Sequence, residues 1–202
     1  MGFFKWLLGL LSSLFSSTPD PVPDPVPVPD PVPVPPSVLI LPGDNVHLHG
    51  RSFADNQGVY PAWGMSMFWA LWAAKHDPPR LAATLDWMAP YGVNYIRALA
   101  MVGAQPYWAD RVIDPAWDDY DAVVVRLLEA CAERGLRVQV VLFADAQVMM
   151  ASHEDRLVFL HHMASVLEPH RHAVQLVEIC NESNLNGVDG AELAELTEQW
   201  SD

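Results

Sequence analysis

The stretch RGLRVQVVLF, Arg134 to Phe143, decides the fold. Gly135 stops a helical pattern, and Val138 to Phe143 then runs apolar on both faces of an extended segment, as a strand covered by helices requires. On either side of it the chain repeats one unit: an apolar strand-like run, a loop, an amphipathic helix, a Gly or Pro, and the next run. The first run is Trp63 to Trp69, followed by a helix over Pro78 to Met88 that Pro90 and Gly92 terminate. The second is Val93 to Leu99. A long loop follows, and then a helix over Trp117 to Glu133 with Val124, Leu127, Leu128 and Cys131 at three-to-four spacing. The third run is Arg137 to Phe143, with a helix over Glu154 to Leu167 broken at Pro169. The fourth is Ala173 to Cys180, and Glu192 to Trp200 begins a further helix. Ahead of the first unit, Val38 to Leu41 and Val46 to His49 read as a short hairpin or edge pair around Pro42, Gly43, Asp44 and Asn45. Gly58 and Pro61 mark another turn. Runs some 30 to 45 residues apart suit right-handed parallel crossovers, so the fold class is parallel α/β. A TIM-type (β/α) barrel of eight units takes about 250 residues. Four units fit here, which predicts a barrel truncated after the fourth strand-helix unit.

The front of the 202-residue chain is of another kind, since ten of its 18 prolines lie between Pro19 and Pro36. The segment PDPVPDPVPVPDPVPVPP removes backbone donors and sets every second φ near the polyproline value, so it joins neither sheet nor helix. Residues 18–37 therefore read as a Pro-rich linker, on the order of 55 Å long at roughly 3.1 Å per residue. Residues 1–17 place Phe3, Phe4, Leu7, Leu8, Leu11, Leu14 and Phe15 on one helical face, with a single cation, Lys5. That pattern predicts a signal peptide or an amphipathic membrane anchor, with membrane surface contact through residues 1–17. A secreted or surface-tethered protein follows. The partial barrel domain spans 38–202.

With 51% apolar residues and eight Trp, this domain can bury a sizeable core. Eleven Lys and Arg against 25 Asp and Glu leave a formal net charge of -14, which repels a phosphate backbone and excludes nucleic acid as partner. Cys131 and Cys180 read as two buried thiols and leave the compartment open. The eight histidines form no HExxH helix or Cys/His zinc spacing, and no phosphate loop or GxSxG elbow occurs, so no metal or cofactor is expected.

In parallel α/β folds the functional groups sit at the carboxyl ends of strands. After the fourth run comes VEICNES, Val177 to Ser183, which delivers Asn181 and Glu182 where the apolar strand stops. A rim carboxylate acts as a general acid where an apolar surround raises its pKa; the alternative is an exposed loop Glu beside a turn Asn. Trp69, Tyr107, Trp108 and Trp117 lie in or near strand-end loops and offer flat apolar faces, although core packing accounts for them equally; Trp63, Trp72 and Trp87 read as core. Asp145, just past the third run, and His153 are further candidates for the site wall.

Taken together, GVNYIRAL (Gly92 to Leu99), RGLRVQVVLF and VEICNES resemble the amino-terminal half of the cellulase-like glycoside hydrolases of clan A. There the second strand ends in an Asn-x-x-Arg type sequence. The fourth carries an apolar or aromatic residue, Glu, an apolar residue, any residue, then Asn-Glu. The resemblance covers roughly Gly50 to Asn186. It implies a retaining hydrolase of O-glycosyl bonds in a poly- or oligosaccharide, with Glu182 as acid/base and Asn181 on the sugar 2-hydroxyl. It also implies Arg97 as the arginine beneath the nucleophile; an ion pair with Glu178 is the other reading of that residue. Tyr107, Trp108, Trp69 and Asp145 would bind substrate. Glu178, about 13 Å from Glu182 along an extended strand, cannot be the second carboxylate. The family's nucleophile, a Glu ending the seventh strand, falls outside the four units, so this portion alone is expected to be inactive. The alternative is a non-catalytic carbohydrate-binding or structural half-barrel that closes with another copy or chain, and a parallel α/β enzyme unrelated to sugars is a third reading.

Overall fold

The computed structural model describes Ile40 and residues 44–104 and 110–201, all within the unit Pro33–Asp202. The expected leader (1–17) and linker (18–37) lie outside the described residues. Two sheets are present. An antiparallel one is built from β1 (His47–His49), β2 (Ser52–Asp55) and β3 (Gly58–Tyr60) in that order. A parallel one has the order β4 (Gly64–Ser66), β5 (Tyr95–Leu99), β6 (Arg137–Phe143), β7 (Val174–Cys180). Sequence order and spatial order coincide, as in a sheet wound one way by successive crossovers. Among the described residues no helix is long and apolar enough to cross a membrane.

The crossover helices form where the sequence supplies both an apolar stripe and end signals. α1 (Ala70–His76) joins directly to α2 (Pro78–Met88) through Asp77, whose carboxylate accepts the Arg80 N–H at 3.2 Å while two prolines fill the first turn. Leu81, Leu85 and Met88 form the buried stripe of α2. The helix then tightens into a 3-10 turn, Ala89–Tyr91, and stops at Gly92, whose φ of +76° favours glycine. α3 (Tyr120–Ala132) buries Val123, Val124, Leu127, Leu128 and Cys131. A short α4 (Ala146–Met149) precedes α5 (His153–Leu167), where the Ser152 hydroxyl caps the Asp155 N–H at 3.1 Å. The last helix is α6 (Gly190–Ser201).

Ala98 of β5 and Val138 and Val140 of β6 meet Leu71 of α1, Val124, Leu127 and Leu128 of α3, and Met163 of α5. Each fully buried aliphatic side chain here contributes about 1.5–3 kcal/mol. The other face of the sheet carries hydrogen-bonded polar groups. Arg97 (β5), Gln139 (β6) and Glu178 (β7) are linked across three strands.

The small antiparallel sheet is fixed to the amino ends of these strands. Arg137, at the start of β6, donates to Asp55 of β2 at 2.8 Å, lies 3.5 Å from Asp44 and stacks on Tyr60 of β3. The Tyr60 hydroxyl donates to Gln175 of β7 at 2.8 Å.

Several sequence expectations need correction. Strand β1 pairs with β2 across Gly50 (φ +64°); of the other half of the expected hairpin, Val38–Leu41, only Ile40 is among the described residues, and it is buried. The run Trp63–Trp69 is a strand only over Gly64–Ser66, and the apolar sequence continues into α1 because Ala70, Leu71, Ala73 and Ala74 share a buried helical face. α3 starts at Tyr120, after a turn in which Asp114 holds the Ala116 N–H. Trp63 and Trp87 are not core: they are 65% and 57% exposed. Trp63 precedes an edge strand, and Trp87 lies across α2 from the buried stripe, paired with Tyr91 at 5.2 Å. Cys131 is buried but Cys180 only partly, and burial pushes their thiols up to about 12 and about 11.

Helix α6 is held to α5 by charge. Arg156 donates to both oxygens of Glu192 at 2.6 and 2.9 Å, and His153 lies 2.9 Å from Glu192 and 3.3 Å from Glu195. The contact with Glu192, more than that with Glu195, raises the His153 pKa above its ordinary value near 6.5. Burial acts to raise Glu192, but the bonds from Arg156 and His153 outweigh it and hold its carboxyl low. The His153 contribution is therefore complete below its unfolded pKa and fades as pH rises through the higher folded one. The Glu192 contribution is present above its unfolded pKa and fades in acid. Hydrogen-exchange protection of α6, corrected for intrinsic rates, should fall between about pH 6 and pH 8, a range set by the ordinary His pKa. His153→Gln should flatten that slope; an unchanged slope would remove His153 from this role.

Candidate active site

At the carboxyl ends of β5, β6 and β7 a cleft of about 480 Å³ is lined by Phe68, Leu99, Ala144, Asp145, Gln147, Asn181, Glu182, Leu185 and Asn186. Three sequence-chosen residues, Asp145, Asn181 and Glu182, meet in it. Asp145 is buried, and its Oδ2 accepts the Gly103 N–H at 2.8 Å, which places its carboxylate in the cleft wall. Asn181 continues the β7 ladder, its N–H donating to the Phe143 carbonyl at 2.9 Å.

Arg97 forms the ion pair with Glu178 that one reading of its position expects. Its Nε donates to Glu178 Oε2 at 2.7 Å and a terminal nitrogen to Oε1 at 2.5 Å, a bidentate pair, and the same nitrogen donates to Asn181 Oδ1 at 2.9 Å. Gln139 adds a second bond to Glu178 Oε2 at 2.7 Å. The hydrogen bonds to Glu178 raise the Arg97 pKa against its partial burial. With Asn181 Oδ1 occupied by an arginine, its amide is oriented: Nδ2 faces Glu182 Oε2 at 3.4 Å and presents its donors to the cleft. Arg97→Lys would keep the charge and lose the fork. A stability loss of about 1–2 kcal/mol in urea unfolding, with faster flipping of the Asn181 side-chain amide by NMR, is expected. An unchanged flip rate would show that Arg97 does not orient it.

Glu182 alone among the described non-glycine residues has positive φ, +40°. Such backbone is held against local preference and concentrates at ligand sites. Its carbonyl accepts the N–H groups of Leu185 at 2.7 Å and Asn186 at 3.1 Å, so the chain turns sharply off the strand. The apolar enclosure that the sequence reading asks for around Glu182 is not formed by the described residues: the side chain stands exposed at the rim.

Other candidates lie elsewhere. Trp69 does not line the cleft; its ring is covered by the Arg80 guanidinium at 4.8 Å. Trp117 packs between Lys75, His76 and Tyr120, and His153 belongs to the α5–α6 contact. Tyr107 and Trp108 lie outside the described residues. Sequence reasoning missed Phe68, Leu99, Gln147, Leu185 and Asn186. The polar run NESNLN, 181–186, carries a turn signal that points to Asn186; nothing comparable marks Phe68 or Leu99.

No family model matches the sequence, and no curated protein does. Solved structures match by fold. An exo-β-1,4-mannosidase from Opitutaceae bacterium strain TAV5 is 20% identical with a TM-score of 0.55, over 74% of this chain and 31% of that one. A glycoside hydrolase family 5 structure from Bacteroides vulgatus is 13% identical at TM-score 0.55, over 78% and 37%. A cellulase is 16% identical at TM-score 0.55, over 82% and 51%. This chain thus shares its fold with glycoside hydrolase family 5 structures and spans 31–51% of their length.

Proposed function

We propose that the chain is the amino-terminal part of a (β/α)8 glycoside hydrolase domain that cleaves a β-linked poly- or oligosaccharide with retention, and that Glu182 is its acid/base. The observation that carries this reading is the meeting of Asn181, Glu182 and Asp145 in one cleft at the carboxyl ends of parallel strands, with Arg97 orienting Asn181. The fold shared with a mannosidase and a cellulase supports it.

In this mechanism Glu182 gives its proton to the leaving glycosidic oxygen as a second carboxylate, about 5–5.5 Å away, attacks the anomeric carbon. That carboxylate comes from barrel strands beyond β4–β7. In the second step the Glu182 carboxylate takes a proton from water, which displaces the glycosyl-enzyme bond. The Asn181 Nδ2 donates to the sugar 2-hydroxyl, a bond that tightens as the ring approaches an oxocarbenium ion. The Asp145 carboxylate accepts from a further hydroxyl, and Tyr107 and Trp108 supply stacking faces. Arg97, beneath the second carboxylate, pairs with Glu178 and holds the Asn181 amide. Residues 1–17 export or anchor the protein, and 18–37 hold the domain away from the surface.

The test is the anomeric proton spectrum during hydrolysis of β-1,4-linked glucan and mannan oligosaccharides by the longest natural form of the protein. A β-configured first product supports the reading. An α-configured product overturns retention, and no hydrolysis of either series overturns the assignment.

A further inference from the structure

We propose that Asn186 is a positioning residue for Glu182, an inference that rests on the reading of Glu182 as acid/base. Asn186 is buried at the end of the NESNLN turn, and its Nδ2 donates to the Asn181 carbonyl at 2.6 Å and reaches the Glu182 carbonyl at 3.4 Å. One amide group with two hydrogens thus bridges the carbonyls of both residues of the Asn-Glu pair. The Asn186 N–H donates to the same Glu182 carbonyl, and its own carbonyl accepts the Gln147 N–H at 3.2 Å, which joins the turn to the loop that carries Asp145. Gly187, at φ +75°, allows that approach: a Cβ there would stand 2.7 Å from Gln147 Cβ.

These bonds converge on a residue whose φ of +40° is unfavourable for any side chain with a Cβ. A glutamate released from them relaxes toward negative φ, which swings its carboxyl group away from the cleft. Two N–H donors on a short side chain are what the site uses. Asn186→Asp and Asn186→Leu keep the volume and shape and remove the donors.

The experiment measures the one-bond Cα–Hα and three-bond HN–Hα couplings of Glu182, which together report φ and its sign, in the full chain and both variants. It also measures kcat and KM in whichever natural form hydrolyses substrate. The expected result is a changed coupling at Glu182 with the rest of the spectrum retained, and a kcat lowered about tenfold or more with KM within about twofold. Coupling and kcat both at wild-type values in the folded variants would overturn the proposal. Global unfolding of both variants would overturn it too, because the side chain would then hold the fold and not the turn. If Glu182→Gln keeps full turnover, the acid/base reading itself fails, and that outcome is separate because the coupling measurement does not depend on turnover.

Discussion

Glu182→Gln should lower hydrolysis of an unactivated glycoside by about 10²–10⁴-fold, the usual worth of a positioned proton donor, with the circular-dichroism spectrum unchanged. Glutamine keeps the size and the exposed rim position of Glu182 and removes only the transferable proton. The loss must depend on the leaving group. A dinitrophenyl glycoside departs without protonation, so its glycosylation step should be nearly normal. Its deglycosylation, which needs the base, should be slow, giving a burst of one equivalent. Added azide, which needs no base, should restore turnover and yield a glycosyl azide of retained configuration. A variant with full activity on both substrate classes would remove Glu182 from the mechanism.

Arg137→Met is the change expected to affect stability most, by about 3–5 kcal/mol in urea unfolding. Arg137 is 5% exposed and lies between Asp44, 1% exposed, and Asp55. Without the guanidinium two carboxylates remain in a poorly solvated space, and Tyr60 loses the cation on its ring. Burial raises the Tyr60 pKa and Arg137 opposes that, so the tyrosine should titrate higher still in the variant. Asp55→Asn in the Arg137→Met background should recover at least about 1 kcal/mol by removing one stranded charge. A loss under about 1 kcal/mol from Arg137→Met would show that water reaches the two aspartates.

The parallel α/β arrangement was legible because helix stripes and end signals coincide. Asp77 with Pro78 and Pro79, and Gly92 after Met88, bracket α2 on the predicted residues, and Gly135 separates α3 from a β6 that also falls on its predicted span. Helix α1 was not legible, because the Met-Phe-Trp-Ala-Leu-Trp run is apolar at every spacing, and short runs of that kind read as strand or helix alike. The pairing of β1 with β2 was not legible, because Gly50 alone marks the turn between them, whereas Asp44, read as a turn residue, accepts the Asn56 N–H and faces Arg137.

At the site, Asn181 and Glu182 were legible as polar residues where an apolar strand stops, and Arg97 with Glu178 as complementary charges on the two strands that flank β6. The aromatic residues were not. A tryptophan's place in sequence does not say which face of its element it takes, so Trp69 meets Arg80, Trp87 meets Tyr91 and Trp63 faces solvent. Asn186 escaped notice because its role depends on carbonyls brought together by a turn that no spacing rule describes.

The bond from Tyr60 to Gln175 spans 115 positions, and that separation sets an order of events during synthesis. The small antiparallel sheet leaves the ribosome early, yet the acceptor that seats it emerges about 6–23 s later at 5–20 residues per second. For about the first two-thirds of that interval, until Arg137 emerges 77 positions after Tyr60, Asp44 and Asp55 are without their cation as well. The oldest part of the nascent domain is therefore among the last to be secured, and slowing translation between codons 60 and 175 should lengthen the period in which proteases cut at residues 44–60.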